Sequence, residues 1–166
     1  MLMMQHQRGV GLVEVLVALF ILAIGVLGFS ALQLRALQAT TEATDRTMAM
    51  TVARDLTDRM RINRLALANY TAAINDKATE TDCVGSTNSY KPACDQTKMA
   101  NYDAKQILDK AESLGQTVIM RQCDGSTRTC VYIAWGKTSI TKDKVSDCMS
   151  AGVYKAGAQC LVMEAF

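Results

Sequence analysis

The first residue in this chain whose type and position suggest chemistry is Glu14. It is the only charged side chain between Val10 and Leu34, in a run that reads VGLVEVLVALFILAIGVLGFSALQL. A carboxylate in apolar surroundings costs on the order of a few kcal/mol unless a cation neutralises it. Glu14 therefore marks either a site waiting for a positive partner or an interfacial residue whose carboxylate reaches the membrane edge. The second set is Cys83, Cys94, Cys123, Cys130, Cys148 and Cys160, all in the second half of the chain. Successive pairs are separated by 10, 6 and 11 residues, and no C-x-x-C occurs. Thiols so spaced point to a disulfide framework formed in an oxidising compartment. Structural zinc is the competing chemistry, but it favours closely spaced Cys pairs or Cys with His, and the chain's one histidine is His6. Six cysteines allow fifteen pairings, so connectivity stays open. No metal and no cofactor is expected.

The elements that must position these residues follow from hydropathy and period. As a helix, residues 10–34 would span about 37 Å, enough to cross a hydrocarbon layer of roughly 30 Å. The nine residues before them, MLMMQHQRG, turn polar from Gln5 and carry Arg8, and no small-residue cleavage motif follows the apolar run. That order differs from an ordinary secretory signal peptide. Arg8 on one side of the span and Arg35 and Arg46 on the other orient it only weakly. The cysteines place the C-terminal part outside the cytoplasm. Gly25 and Gly28 each cost about 1 kcal/mol inside a helix. They mark either close packing between helices or a point where the helix unwinds.

From residue 35 to about 68 the chain is rich in helix formers and has no proline. Leu37, Thr44, Met48, Val52, Leu56 and Met60 recur at helical spacing, with Glu42, Asp45, Arg54, Asp55, Asp58 and Arg61 opposite. This predicts one rod over residues 10–68, roughly 90 Å long, whose second half lays an apolar stripe on a domain. Arg59, Arg61 and Arg64 suit the C-terminal end of such a helix. No aromatic residues interleave with them, so DNA binding is not expected. Net charge is +2, too small to predict nucleic acid or acidic lipid as a partner.

Residues 69–101 show no sustained period and read as a loop that a Cys83–Cys94 bridge would close. Asn101–Leu114 reads as a short amphipathic helix stopped by Gly115. Strands are predicted at Thr117–Gln122, Cys130–Gly136 and Cys160–Ala165, the first two forming a hairpin around DGSTRT that Cys123 and Cys130 could bridge. By position, Cys148 would pair with Cys160, and Trp135 packs in the sheet. The expected fold is α+β. One long N-terminal helix has an apolar first half, and the head is a small antiparallel sheet stapled by disulfides. Its expected parts are a leader over 1–9, a membrane half helix over 10–34, and a periplasmic half helix over 35–68. A disulfide-containing loop with a short helix follows over 69–115, and a sheet head over 116–166.

The segment RGVGLVEVLVALFILAIGVLGF resembles the class III signal of type IV pilins, a short basic leader ending in Gly followed by an apolar helix with Glu at its fifth position. The resemblance implies cleavage after Gly9 by a prepilin peptidase, N-methylation of the new N-terminal Val10, and Glu14 as the fifth-position acid that sets assembly register. Val10 stands where major pilins mostly carry Phe, and Ala31 where they often carry Pro. With LQLRALQ and ARDLTDRMRINR, residues 5–65 are similar to minor pilins of the PilV type, the type IV pilus modification proteins. That resemblance implies a non-enzymatic subunit that helps initiate or cap a type IV pilus, supporting twitching motility, adhesion or DNA uptake. Its implied partners are other minor pilins, the major pilin, the prepilin peptidase, the inner membrane and its pilus assembly machinery. The implied location is a single pass of the inner membrane with a periplasmic head, then the pilus. Once the leader is removed no histidine remains, and neither a phosphate-binding G-x-x-x-x-G-K-[ST] nor a G-x-G-x-x-G occurs. A pseudopilin of a type II secretion system shares the N-terminal features, and a signal-anchored periplasmic binding module is the alternative from another class.

Overall fold

The structure is a computed structural model that describes residues 11–80, 82–83 and 94–166. Gly9 and Val10, with the leader before them, lie outside the described residues. The chain divides into two compact units, residues 1–41 and 42–166.

Helix α1 runs Leu12–Ile62. Its residues in the first unit make a helix of Val, Leu, Ile, Ala and Phe with every described position exposed, among them Leu12 at 79% and Phe20 at 67%. It has the length and composition to cross a membrane.

In the second unit, burial on α1 begins at Ala49 and continues through Val52, Ala53, Leu56, Thr57 and Met60. The expected stripe is thus corrected at its upper end: Leu37 and Met48 are exposed and Thr44 does not contribute. Two alanines take their place, because their small side chains let the helix backbone approach the layer beneath it. The helix also stops short of the expected rod. At Asn63 the backbone turns to φ −101°, ψ 54°. A single 3₁₀ turn follows over Arg64–Ala66, and then helix α2 over Leu67–Asn75. Asn63 is the break, and its side chain is held not by its own turn but by a distant segment, Nδ2 donating to the Gln96 carbonyl at 2.8 Å. Residues 69–75, expected as loop, are therefore helix, and α2 buries Tyr70, Ala73 and Ile74.

Helix α3, Gln96–Ser113, starts five residues before its expected position, because Asp95 caps it by accepting from the Lys98 N–H at 2.8 Å. It ends as expected at Gly115, whose φ of +67° suits a residue without Cβ. There the N–H of Gln116 donates to the Ala111 carbonyl and that of Gly115 to the Glu112 carbonyl.

Strands β1 (Thr117–Gln122), β2 (Thr129–Ala134) and β5 (Cys160–Glu164) form an antiparallel sheet in the order β1-β2-β5. The register sets Met120 opposite Val131 and Ile133 opposite Leu161. A separate pair, β3 (Met149–Ser150) with β4 (Val153–Tyr154), lies between β2 and β5 in sequence and was not predicted. Alternation splits the sheet into two faces. Val118, Met120, Val131, Ile133 and Leu161 join the helices in one core, while Ile119, Tyr132 and Ala134 pack with Ile140 and Val145 in the other. The fold is the pilin-like α+β arrangement of a long helix with an apolar stretch and a small disulfide-bonded antiparallel sheet.

Candidate functional site

Glu14 sits in the first turn of α1, its backbone N–H donating to the Gly11 carbonyl at 2.9 Å. A carboxylate at a helix start is favoured by the positive end of the helix dipole. Residues 11–34 contain no Lys or Arg, so this stretch offers Glu14 no cation. The exposed apolar surface around it, from Val13 to Leu22, has the same property as the acid: it is incomplete in a single chain. Grease exposed to this extent needs lipid or other helices over it.

The cysteines are joined as Cys83–Cys94, Cys123–Cys130 and Cys148–Cys160, with Cα–Cα distances of 5.2, 4.9 and 5.8 Å. All six are thereby committed to sulfur, which leaves no thiolate to hold zinc. Cys148 and Cys160 are buried, and with Cys123 and Cys130 they make up nearly half of the core on the sheet's outer face. In that core, cystine does the filling that apolar side chains perform on the helix face.

A polar clasp holds the three helices of the second unit together. The Arg59 guanidinium bonds Asp55 at 2.8 Å, one turn back on α1, and Asp103 of α3 at 2.9 Å. Tyr70 of α2 donates its hydroxyl to the other Asp103 oxygen at 2.6 Å, and Lys110 of α3 reaches Asp55 at 3.0 Å. Asp55 belongs to this clasp and not to a solvated face, which corrects its expected position. The spacing of Asp55 and Arg59 at i and i+4 was the signal in the sequence. Burial pushes the Asp55 carboxyl up, but bonds from Arg59 and Lys110 outweigh it and hold the group below its ordinary value. Burial, reinforced by the bond to Asp103, raises the Tyr70 phenol well above its ordinary value.

A charge-driven adhesive strip is not what the clasp provides. Arg59 is neutralised by two carboxylates, and Arg61 lies 3.4 Å from Asp58. The clasp positions helices. Trp135, expected to pack in the sheet, is buried in the core on the helix face.

Two family comparisons match the chain. Residues 31–105 match the family described as type IV pilin Tt1218, and residues 4–30 match the prokaryotic N-terminal methylation motif. No curated protein and no solved structure matches the chain. Together the two matches support a type IV pilin with a prepilin processing motif, consistent with a pilus subunit.

Proposed function

We propose that the chain is a minor pilin of the PilV type, a low-abundance subunit that helps initiate or cap a type IV pilus. The observation that carries this reading is Glu14, an acid without a cation in an apolar helix that its own chain leaves uncovered. Cleavage after Gly9 would place a new amino group on Val10, four residues before the acid. In a filament core that amine, on a neighbouring subunit, is the partner Glu14 requires. A buried pair of this kind adds little net stability but penalises every register that leaves either charge alone.

The rest of the molecule fits a subunit and not a catalyst. Its clasp and disulfides fix a head onto the second half of α1, and the charged groups of the clasp neutralise one another. In this reading, prepilin peptidase cuts after Gly9 and methylates Val10. The head then waits in the periplasm on a single pass of the inner membrane, until the assembly machinery passes the subunit to the other minor pilins and the major pilin. Support for twitching motility, adhesion or DNA uptake follows from that role.

Mass spectrometry of sheared pili tests the proposal. The expected result is this chain among the components, with an N-terminal N-methylated Val10. Absence from pili together with presence in a secretion pseudopilus moves it to the type II secretion apparatus. An intact N-terminus at Met1 removes both readings.

A further inference from the structure

The inner face of the sheet ends in a row of polar side chains where apolar ones would be expected. Gln116 precedes β1, Trp135 follows β2 and Gln159 precedes β5, each one step beyond the paired residues. Strand alternation puts all three on the face that carries Val118, Ile133 and Leu161, toward the helices. Two of them grip α1 near the start of the second unit. Gln116 Nε2 donates to the Asp45 carbonyl at 3.1 Å, and Gln159 Nε2 donates to the Glu42 carboxylate at 2.8 Å.

This grip leaves two atoms unsatisfied. Asp45 offers a carbonyl, which only accepts, and so fixes the Gln116 amide with its Oε1 turned away. That oxygen and the Trp135 indole Nε1–H are both buried and have no hydrogen-bond partner among the described residues. Gln116 is 6% exposed and Trp135 is 4% exposed, so bulk water does not reach them. One orphan accepts and the other donates. The β1–β2 register ends with Thr117 opposite Ala134, and carried one step further it sets Gln116 opposite Trp135 on one face.

We propose that a single internal water binds here, accepting from the Trp135 indole and donating to Gln116 Oε1. Such a pair meets the minimum of two polar partners that an internal water needs, and an unmet buried polar group is rare in a folded protein. The water completes a directional lock between the sheet and the turn of α1 at Glu42 and Asp45. Below it α1 contributes Ala49, Val52, Ala53 and Leu56 to the apolar core, and its charged clasp reaches α2 and α3 and not the sheet. Hydrogen bonds do not slide, so this row fixes the axial and rotational setting of α1 on the sheet.

Trp135 is the chain's one tryptophan, so its indole gives one unmistakable signal. The test uses the full chain, ¹⁵N-labelled, in detergent micelles. The expected result is a slowly exchanging indole N–H with a direct dipolar cross-peak to water. In Gln116→Met that cross-peak is lost and the indole proton shifts upfield. A cycle of Gln116→Met, Trp135→Phe and the double variant is expected to be non-additive, with the double losing less denaturation midpoint than the two singles summed. A cross-peak from the indole to the Gln116 amide in place of water would overturn the proposal, as would strictly additive variants. If Trp135→Phe does not fold, the water cross-peak in the parent and its loss in Gln116→Met decide alone.

Discussion

Glu14 and Asp103 show how differently one side chain type behaves according to whether its partner lies in the same chain. Asp103 is buried and receives both Arg59 and Tyr70. Asp103→Ala leaves Arg59 with Asp55 alone and takes the carboxylate from the buried Tyr70 phenol, and is expected to cost on the order of 2–4 kcal/mol, read from chemical denaturation of the full chain in micelles. Glu14 has no such partner within residues 11–34. Glu14→Ala is expected to leave head stability within about 0.5 kcal/mol and leave processing intact, while lowering incorporation into pili at least tenfold. Normal recovery of the mutant in sheared pili would count against a register role. The clasp also fixes the response to pH. The Asp55 carboxyl is held low in the folded state, so its contribution is present above its ordinary value near 3.8 and is lost as pH falls through the folded value. The Tyr70 phenol is held high, so its contribution is complete below its ordinary value of 10.0 and disappears as pH rises past it. Stability against pH is therefore expected to form a plateau with losses at both ends, followed by far-UV circular dichroism.

At the scale of elements, two helix ends with the same geometry explain what could be read in advance. Helix α3 closes at Gly115, and helix α2 closes at Lys77 with the same pair of bonds: Ala78 N–H to the Ala73 carbonyl and Lys77 N–H to the Ile74 carbonyl. The first end carries the glycine that signals it, and the helix before it was expected. The second puts lysine at φ +54°, with no signal at all, and α2 was read as loop. Lys77→Gly removes that backbone strain and is expected to stabilise the fold by about 1 kcal/mol, raising the denaturation midpoint. A lower midpoint would show that the lysine side chain contributes more than its backbone costs. The apolar stripe of α1 was misjudged for a related reason. Period picks out large residues such as Met48, whereas close packing selected Ala49 and Ala53. The three strands of the main sheet were legible because alternation and the DGSTRT turn act within a few residues, whereas the two-residue strands β3 and β4 are too short to show a period. The clasp was not, because Arg59, Tyr70 and Asp103 meet only after three helices have packed.

Across the whole molecule, disulfides and helices divide the work of holding the sheet. Each bridge closes a short loop, with separations of 11, 7 and 12 residues, and is worth about 2–4 kcal/mol. The double substitution Cys148→Ser with Cys160→Ser is expected to lose hydrogen-exchange protection over residues 136–159 by a hundredfold or more. The inner ends of α2 and α3 should keep theirs. Uniform loss everywhere would mean that the two faces fold as one. The core facing the helices contains no cysteine, whereas the opposite core depends on four. The order of maturation follows from that division. A reduced chain can assemble its helices on one side of the sheet, but on the other Ile119, Tyr132, Ala134, Ile140 and Val145 must pack without the two crosslinks. Oxidation therefore acts as a timer, because the outer surface of the head is tied down only once those four thiols have paired.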